Sequence, residues 1–175
     1  MRRLLLFRHS KAEPSQSGER DHTRALTGQG RADAARMGIY LARHNLMPDQ
    51  VLMSPSVRTL ETWASAAAAF RSAPPARPEQ RIYDAAPQAL FDLIAETPKT
   101  TGRLMLIGHN PGLHELASRL IASGDINARE QLREELPTSG LAVIDFAFDG
   151  WPDLRPHTGR LERFVHPRVL ESAAI

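Results

Sequence analysis

Short apolar runs alternate with amphipathic stretches along the chain and predict an α/β fold. Runs at 3–7, 51–53 and 103–107 have the length and composition of strands that are buried on both faces. Between them apolar residues recur at helical spacing, most regularly after Pro111, where one face carries Leu113, Leu116, Ala117, Leu120 and Ile121. Strands that alternate with helices of this length predict a three-layer αβα domain with a mainly parallel central sheet.

The other elements follow from the same periodicities and from the turn residues between them. Helices are predicted from about Gly30 to Arg43, from Pro55 to about Phe70, near 87–96, over 111–122 and, with a solvated surface, over 125–136. Further strands are predicted around Arg81–Tyr83, 140–147 and 160–165, and the proline-rich residues 71–78 are predicted to be a connector. With no repeat along the chain, residues 1–175 are expected to form a single domain.

The first apolar run, Leu4 to Phe7, stops abruptly at Arg8 and His9. An unpaired buried cation is costly, so the strand is expected to end here, at the rim of the sheet. A guanidinium and an imidazole that project together suit phosphate chemistry, because arginine binds phosphate oxygens through paired N–H groups and neutral imidazole can attack phosphorus. Taken alone, the pair is equally compatible with basic residues that cap a strand at the surface.

The same arrangement recurs after the next two buried runs. Ser54-Pro55 precedes Arg58, and Asn110-Pro111 follows His109. A small polar residue before a proline is typical of a helix start, which predicts Ser54 and Asn110 as N-caps and the prolines as first helical residues. Because ligands of open α/β sheets bind outside the carboxyl ends of the strands, the basic residues of all three strand ends are expected at one edge.

Composition narrows the class of protein without naming its chemistry. Hydrophobic residues make up 42% and charged residues 24% of the chain, as in soluble globular proteins. A formal net charge of +2 gives no reason to expect nucleic acid or a membrane as a partner. The sequence has no cysteine, which excludes disulfides and thiol chemistry. Since Met1 leads directly into the first strand and no apolar run approaches membrane-spanning length, a cytoplasmic location is expected.

Two further side chains are candidates for the same edge of the sheet. Arg24 belongs to a long polar stretch over 10–27, and a loop of this length is often functional in a compact domain. It either reaches back to the strand edge or is an exposed loop arginine. Asp84 follows a short predicted strand and is either an acid at the site or a cap for the next helix. Glu13 and Asp21, on the long loop, are weaker candidates for the acid.

The seven histidines and the glycines give no sign of a metal or cofactor site. The only close pair, His109 and His114, lies five residues apart, so the two side chains would face different sides of a helix. Gly28-Gln29-Gly30 is not a nucleotide-binding loop, because no strand precedes it. Neither a metal nor a cofactor is expected.

Four separated motifs follow one another along the chain: Arg8-His9, Arg24 before Leu26-Thr27-x-x-Gly30, Ser54-Pro55-x-x-Arg58-x-x-x-Thr62, and Gly108-His109. In this order they resemble the motifs of the histidine phosphatase superfamily, whose fold is phosphoglycerate-mutase-like. The short chain is most similar to phosphohistidine phosphatases of the SixA type. The resemblance covers residues 2 to about 122 and, more weakly, Pro137-Thr138-Ser139-Gly140 and the strand that follows.

The resemblance implies a role for each matched residue. His9 would be the nucleophile, phosphorylated on a ring nitrogen. Arg8, Arg24 and Arg58 would hold the phosphoryl oxygens, and His109 would donate a hydrogen bond to them.

Two departures from the family pattern concern substrate binding and acid catalysis. Ser10 stands where much of the superfamily has glycine, and because its backbone N–H is retained it is kept as a substrate-binding candidate. The chain lacks the longer insertions of the mutases, which carry their substrate contacts and a proton-donating glutamate. This departure argues against mutase activity and leaves the acid unassigned, with Asp84 as the first candidate.

The expected function is hydrolysis of a phosphoryl group through a covalent phosphohistidine on the enzyme. The expected partner is a phosphorylated substrate, for which a phosphohistidine-containing signalling protein is favoured. Its P–N bond is already activated and demands less of an acid than a phosphoester does. The alternatives are a small-molecule phosphomonoesterase of the same superfamily and a non-catalytic domain that binds phosphate or a phosphoprotein.

Overall fold

The sheet is built around β1 (Arg2–Arg8), whose apolar side chains from Leu4 to Phe7 are fully buried. The computed structural model describes residues 1–173, in which seven strands form one sheet in the order β3-β2-β4-β1-β6-β7-β5. The other strands are β2 (Gln50–Met53), β3 (Ala76–Pro78), β4 (Arg103–Gly108), β5 (Ile121–Gly124), β6 (Leu141–Phe146) and β7 (Gly159–Val165). The first four strands run parallel, β6 is antiparallel to β1 and β7, and β5 is parallel to β7. The prediction of a mainly parallel central sheet is confirmed.

Helices cover both faces of the sheet, because successive side chains of a strand point to opposite faces. Leu5 and Phe7 of β1 pack with α1 (Gly28–Arg43), α2 (Val57–Ala67) and α6 (Pro167–Ala173) on one face. Leu4 and Leu6 pack with α3 (Pro87–Ala95), α4 (Gly112–Leu120) and α5 (Ile126–Glu134) on the other. Among residues 1–173 no helix combines the length and the apolarity needed to cross a bilayer. Two cores on one sheet give the predicted three-layer αβα architecture.

The parallel register brings the carboxyl ends of β1, β2 and β4 to one edge. Arg8 pairs with Gly108, and Met53 pairs with Ile107, so the residues that follow these strands leave the sheet at the same level. This edge is where the sequence predicts the functional residues.

The long polar stretch 10–27 leaves the end of β1 and returns to it. An isolated antiparallel bridge joins Ala12 to Leu26 near the two ends of the stretch. The first turn of α1 then packs on its start, where a Cβ added to Gly30 would overlap the carbonyl oxygen of Lys11. Only glycine permits this approach, and the packing fixes the loop beside the end of β1.

The prediction of a strand around Arg81–Tyr83 is wrong. Residues Gln80–Ile82 form a 3-10 turn, and the strand of this region, β3, lies within the stretch 71–78 that was expected to be a connector. β3 has only three residues, all exposed at the sheet edge, so neither its length nor its burial leaves a periodic signal. The short elements β5 and α6 were not predicted for the same reason.

The predicted N-caps are also wrong, since α2 begins after Ser56 and α4 begins after Pro111. The two side chains expected to cap the helices are used elsewhere. The Ser54 hydroxyl lies 2.7 Å from Nε2 of His109, and the Asn110 amide donates to the carbonyl oxygen of Leu136 at 2.8 Å. Both side chains therefore form hydrogen bonds at the carboxyl edge of the sheet and cap neither helix.

Candidate active site

His9 is the first residue after β1, and one of its two ring nitrogens forms a hydrogen bond within residues 1–173 while the other forms none. Its Nδ1 lies 2.7 Å from the carbonyl oxygen of Ser10, and because a carbonyl can only accept, Nδ1 carries the proton. Nε2 therefore holds the lone pair, and no group within residues 1–173 hydrogen bonds to it. The imidazole is 8% exposed, and burial, with smaller contributions from the neighbouring arginines, lowers the pKa of His9 from 6.5 to about 4. At neutral pH the ring is uncharged and nucleophilic.

This lowered pKa predicts a specific loss of stability in acid. A histidine whose folded pKa (about 4) lies below its unfolded value of 6.5 binds fewer protons in the folded state, so its contribution is complete above pH 6.5 and is lost as the pH falls. Between pH 7 and pH 4 the free energy of unfolding should fall by about 3 kcal/mol more in the wild type than in His9→Gln. Urea denaturation across this range measures the difference, and parallel pH profiles for the two proteins would contradict it.

His9 lines a basic cavity of about 330 Å³. The structure brings five predicted residues together in its wall, two from β1 and its end, one from the long loop, one from α2 and one from the end of β4. The full lining is Arg8, His9, Lys11, Ala12, Arg24, Arg58, His109, Asn110 and Thr138.

Two arginines present buried N–H groups that no protein group accepts. Nε of Arg8 and Nε of Arg58 are inaccessible and lack a hydrogen-bond partner in the described part of the chain, although both residues line the cavity. Arg8 is fixed by a 3.0 Å hydrogen bond from Nη1 to the carbonyl oxygen of Leu136. A buried donor without an acceptor is costly, so the fold spends stability to hold these two guanidinium groups at the wall of the cavity.

His109 lies beside His9, with ring centroids 5.2 Å apart, and both of its nitrogens are engaged. Nη2 of Arg58 can only donate, so Nδ1 of His109 accepts at 3.2 Å, and Nε2–H donates to the Ser54 hydroxyl at 2.7 Å. Burial is the main cause that lowers the pKa of His109 to about 3. To donate to a phosphoryl oxygen, as the resemblance implies, the proton must move to Nδ1. In that tautomer the Ser54 hydroxyl would donate to Nε2, and Nδ1 would no longer accept the hydrogen bond from Nη2 of Arg58.

Asp21, one of the weaker acid candidates from the sequence, accepts hydrogen bonds from Arg24 and Arg58, two of the three arginines that line the cavity. One carboxylate oxygen accepts from Nε of Arg24 at 3.0 Å, and the other accepts from Nη2 of Arg58 at 3.0 Å and from the Tyr83 hydroxyl at 2.6 Å. The hydrogen bond from Tyr83, followed by the contacts with Arg58, lowers the pKa of Asp21 to about 2. Asp21 is thus a carboxylate at neutral pH and holds no proton to give to a leaving group.

The structure does not bring Ser10 or Asp84 into the site. The Ser10 N–H, which was expected to bind the phosphoryl group, donates to the Thr62 hydroxyl at 3.0 Å, and the Ser10 side chain is buried against the Ser139 hydroxyl. Asp84 is exposed and does not line the cavity, because the turn at Gln80–Ile82 directs Tyr83 rather than Asp84 toward Asp21. The candidate acid of the sequence is therefore absent from the observed cavity.

Several residues that support the site were missed as functional residues in the sequence. They carry hydroxyl groups that contact His109, Ser10 or Asp21, and they are Ser54, Thr62, Tyr83 and Ser139. Ser54 and Thr62 belong to the motif around Arg58, so their position in that motif was an available signal. Nothing in the local pattern marks Tyr83, whose partner lies 62 residues away.

The arrangement combines a neutral imidazole with a concentration of positive charge. His9 offers a bare Nε2, and the cavity around it is lined by three arginines and a lysine but by no carboxylate among the described residues. Such a site favours a ligand with several anionic oxygens around an electrophilic atom, which is the character of a phosphoryl group.

Comparison with known proteins identifies the class to which this fold and site belong. The family model of the histidine phosphatase superfamily (branch 1) matches residues 4–86. An uncharacterized protein of Mycobacterium tuberculosis (strain H37Rv) is 33% identical over 165 residues, which cover 93% of this chain and 100% of that protein. An uncharacterized chloroplastic protein of Arabidopsis thaliana is 33% identical over 180 residues, covering 95% of this chain and 78% of its own.

Solved structures give the same class. A candidate phosphohistidine phosphatase, SixA from Agrobacterium tumefaciens, has a TM-score of 0.81 and 30% identity, with 95% of this chain and 98% of that chain covered. The protein histidine phosphatase SixA, crystallised with tungstate, has the same fold, with a TM-score of 0.76 at 18% identity over 96% of this chain and 99% of its own. The protein belongs to the histidine phosphatase superfamily, and its predicted phosphoglycerate-mutase-like fold is confirmed.

Proposed function

We propose that the protein hydrolyses phosphohistidine on a protein substrate through a covalent phosphohistidine formed on its own His9. The observation that carries the proposal is the bare Nε2 of a buried, neutral His9 in a cavity lined by Arg8, Arg24 and Arg58. The name of the structurally similar A. tumefaciens protein supports the same substrate class.

In the first step the lone pair on Nε2 of His9 attacks phosphorus in line with the bond to the substrate nitrogen. The P–N bond breaks, and its electron pair stays on the departing imidazole. That ring leaves as neutral imidazole when its second nitrogen has already taken a proton from water, so the protein need not supply an acid. The guanidinium groups of Arg8, Arg24 and Arg58, which line the cavity, would neutralise the charge on the equatorial oxygens, where the charge of the transition state is spread.

In the second step water attacks the phosphorus of phosphorylated His9. The new P–O bond forms as the P–N bond breaks, the electron pair returns to Nε2, and the water proton leaves with inorganic phosphate or to solvent. The hydrogen bond from Nδ1 to the Ser10 carbonyl keeps the ring in one orientation through both steps.

The choice of phosphohistidine over a phosphoester rests on the lack of a proton donor. An alkoxide leaves poorly unless an acid protonates it, and a positioned acid contributes about 10²- to 10⁴-fold. The cavity-lining residues of the described chain include no carboxyl group, and the nearby Asp21 stays ionised because of its lowered pKa. An activated P–N bond fits this inventory.

The test compares one peptide phosphorylated on histidine with the same peptide phosphorylated on serine. We expect kcat/KM to be about 10²-fold or more higher for the phosphohistidine peptide, since only the serine ester needs an acid. His9→Ala serves as the control for spontaneous hydrolysis of the P–N bond. Faster turnover of the serine ester would favour a phosphomonoesterase. Binding of both peptides without turnover of either would favour a phosphoprotein-binding domain.

A further inference from the structure

Asp21 holds the two arginines that would complete the phosphoryl site, although its own side chain does not line the cavity. One carboxylate oxygen binds Nε of Arg24, and the other binds Nη2 of Arg58, each at 3.0 Å. Asp21 also accepts from Nη1 of Arg58 through its backbone carbonyl at 2.8 Å. A single loop residue therefore makes three charge-assisted hydrogen bonds to two cavity arginines.

These contacts hold the Arg58 guanidinium in one orientation at the wall of the cavity. Both terminal nitrogens are engaged, Nη1 and Nη2 by Asp21 and Nη2 also by His109. Nε is buried without a partner. Because the guanidinium is planar and rigid, fixing its terminal nitrogens also fixes the direction of the Nε–H bond.

The carboxylate is itself anchored by Tyr83. The Tyr83 hydroxyl donates to Asp21 at 2.6 Å, and the Tyr83 ring packs edge-on against His109 with centroids 5.5 Å apart. His22, next to Asp21 in the 3-10 turn, packs on the other side of Tyr83 at 5.0 Å. These contacts attach the 3-10 turn that carries Asp21 to the wall of the site.

We propose that Asp21, anchored by Tyr83, is a positioning residue that orients the Arg58 and Arg24 guanidinium groups toward the phosphoryl group. This inference deepens the proposed function and rests on it for the identity of the bound group. The opposite role is that Asp21 competes with the phosphoryl group for the same arginines. The two roles predict opposite signs, since removing a competitor strengthens anion binding and removing a positioning residue weakens it.

The experiment measures the affinity of Asp21→Asn for inorganic phosphate and for tungstate by calorimetry. An asparagine keeps the size of the side chain, but its NH₂ group faces a guanidinium donor, so one of the two arginines loses its acceptor. We expect the dissociation constant for both anions to rise about tenfold. Asp33→Asn is the matched control, because Asp33 pairs with Arg36 on α1 outside the cavity, and its affinity should equal that of the wild type.

Two further variants separate positioning from a structural role. Asp21→Glu restores the carboxylate and should recover part of the lost affinity, while Tyr83→Phe should weaken binding two- to threefold by releasing it. Thermal denaturation of each variant checks that it is folded at the temperature of the binding measurement. Tighter or unchanged anion binding in Asp21→Asn would overturn the inference. If that variant does not fold, unchanged or tighter binding in Tyr83→Phe overturns it in the same way.

Anion binding keeps this test distinct from the proposed activity. If the wild type binds phosphate and tungstate but hydrolyses no phosphohistidine, the proposed function fails and the role of Asp21 is still decided by the affinities. If hydrolysis occurs and Asp21→Asn binds anions as the wild type does, the function stands and the positioning role fails.

Discussion

His9→Ala is expected to abolish turnover and the covalent phosphoenzyme together. The bare Nε2 of His9 is the cavity's unengaged nucleophile, since both nitrogens of the neighbouring His109 bind protein groups. Without it the reaction would depend on direct attack by water, and kcat should fall about 10³-fold or more. Rapid acid-free quenching after incubation with a ³²P-labelled substrate, followed by denaturing electrophoresis, measures the adduct.

The stability of the adduct identifies its chemistry. A phosphohistidine is labile in acid and stable in alkali, so the wild-type label should disappear on brief acid treatment and persist in base. His44→Ala is a suitable control, because His44 is exposed at the end of α1 outside the cavity, and this variant should label as the wild type does. A phosphoenzyme of normal yield in His9→Ala would refute the assignment of the nucleophile.

Arg58→Ala is expected to lower kcat/KM by about 10²- to 10³-fold, the usual loss when one donor to a developing anionic charge is removed. Arg58 is only 5% exposed and lines the cavity. Its loss also deprives Asp21 and Nδ1 of His109 of a donor. The measurement is steady-state hydrolysis of the phosphohistidine peptide.

Arg58→Lys separates charge from geometry in this prediction. A lysine keeps the positive charge but has no Nε–H and cannot bridge the Asp21 carbonyl and carboxylate as the planar guanidinium does, so it should recover little of the lost rate. Arg36→Ala, which removes an arginine paired with Asp33 and Glu171 outside the cavity, should leave kcat/KM unchanged. Full activity in Arg58→Lys would show that charge alone suffices.

The predictable part of the site was the part encoded by local pattern. An apolar run that meets Arg8 and His9 reports the end of a buried strand from adjacent residues alone, and the same holds for the run before His109. Parallel strands then place these ends at one edge, which the register of β1 with β4 bears out. Arg24 could be located only through the resemblance, because a loop arginine has no periodicity to report its direction.

The failures concern residues whose roles depend on distant partners. Asp84 was favoured as an acid from its place after a predicted strand, but a 3-10 turn stands there and Asp84 lies exposed outside the cavity. Ser10 has the expected backbone N–H, but Thr62 on α2 accepts it. Ser54 looked like a helix cap because its neighbour is a proline, whereas its hydroxyl is bonded to His109 across the sheet. For Ser10 and Ser54 a tertiary contact engages the group to which the local pattern gave another role.

The sequence by itself determined the α/β class, the buried strands and the basic residues at their ends, because strand burial and helix periodicity are written in the spacing of neighbouring residues. Only the tertiary structure decided how these residues are held. It set the tautomers of His9 and His109 through their acceptors and donors, and it placed Asp21 between Arg24 and Arg58 under the hydroxyl of Tyr83. These choices join residues up to 62 positions apart in the hydrogen bond from Tyr83 to Asp21, and no local pattern records which donor will face which acceptor once the chain has folded.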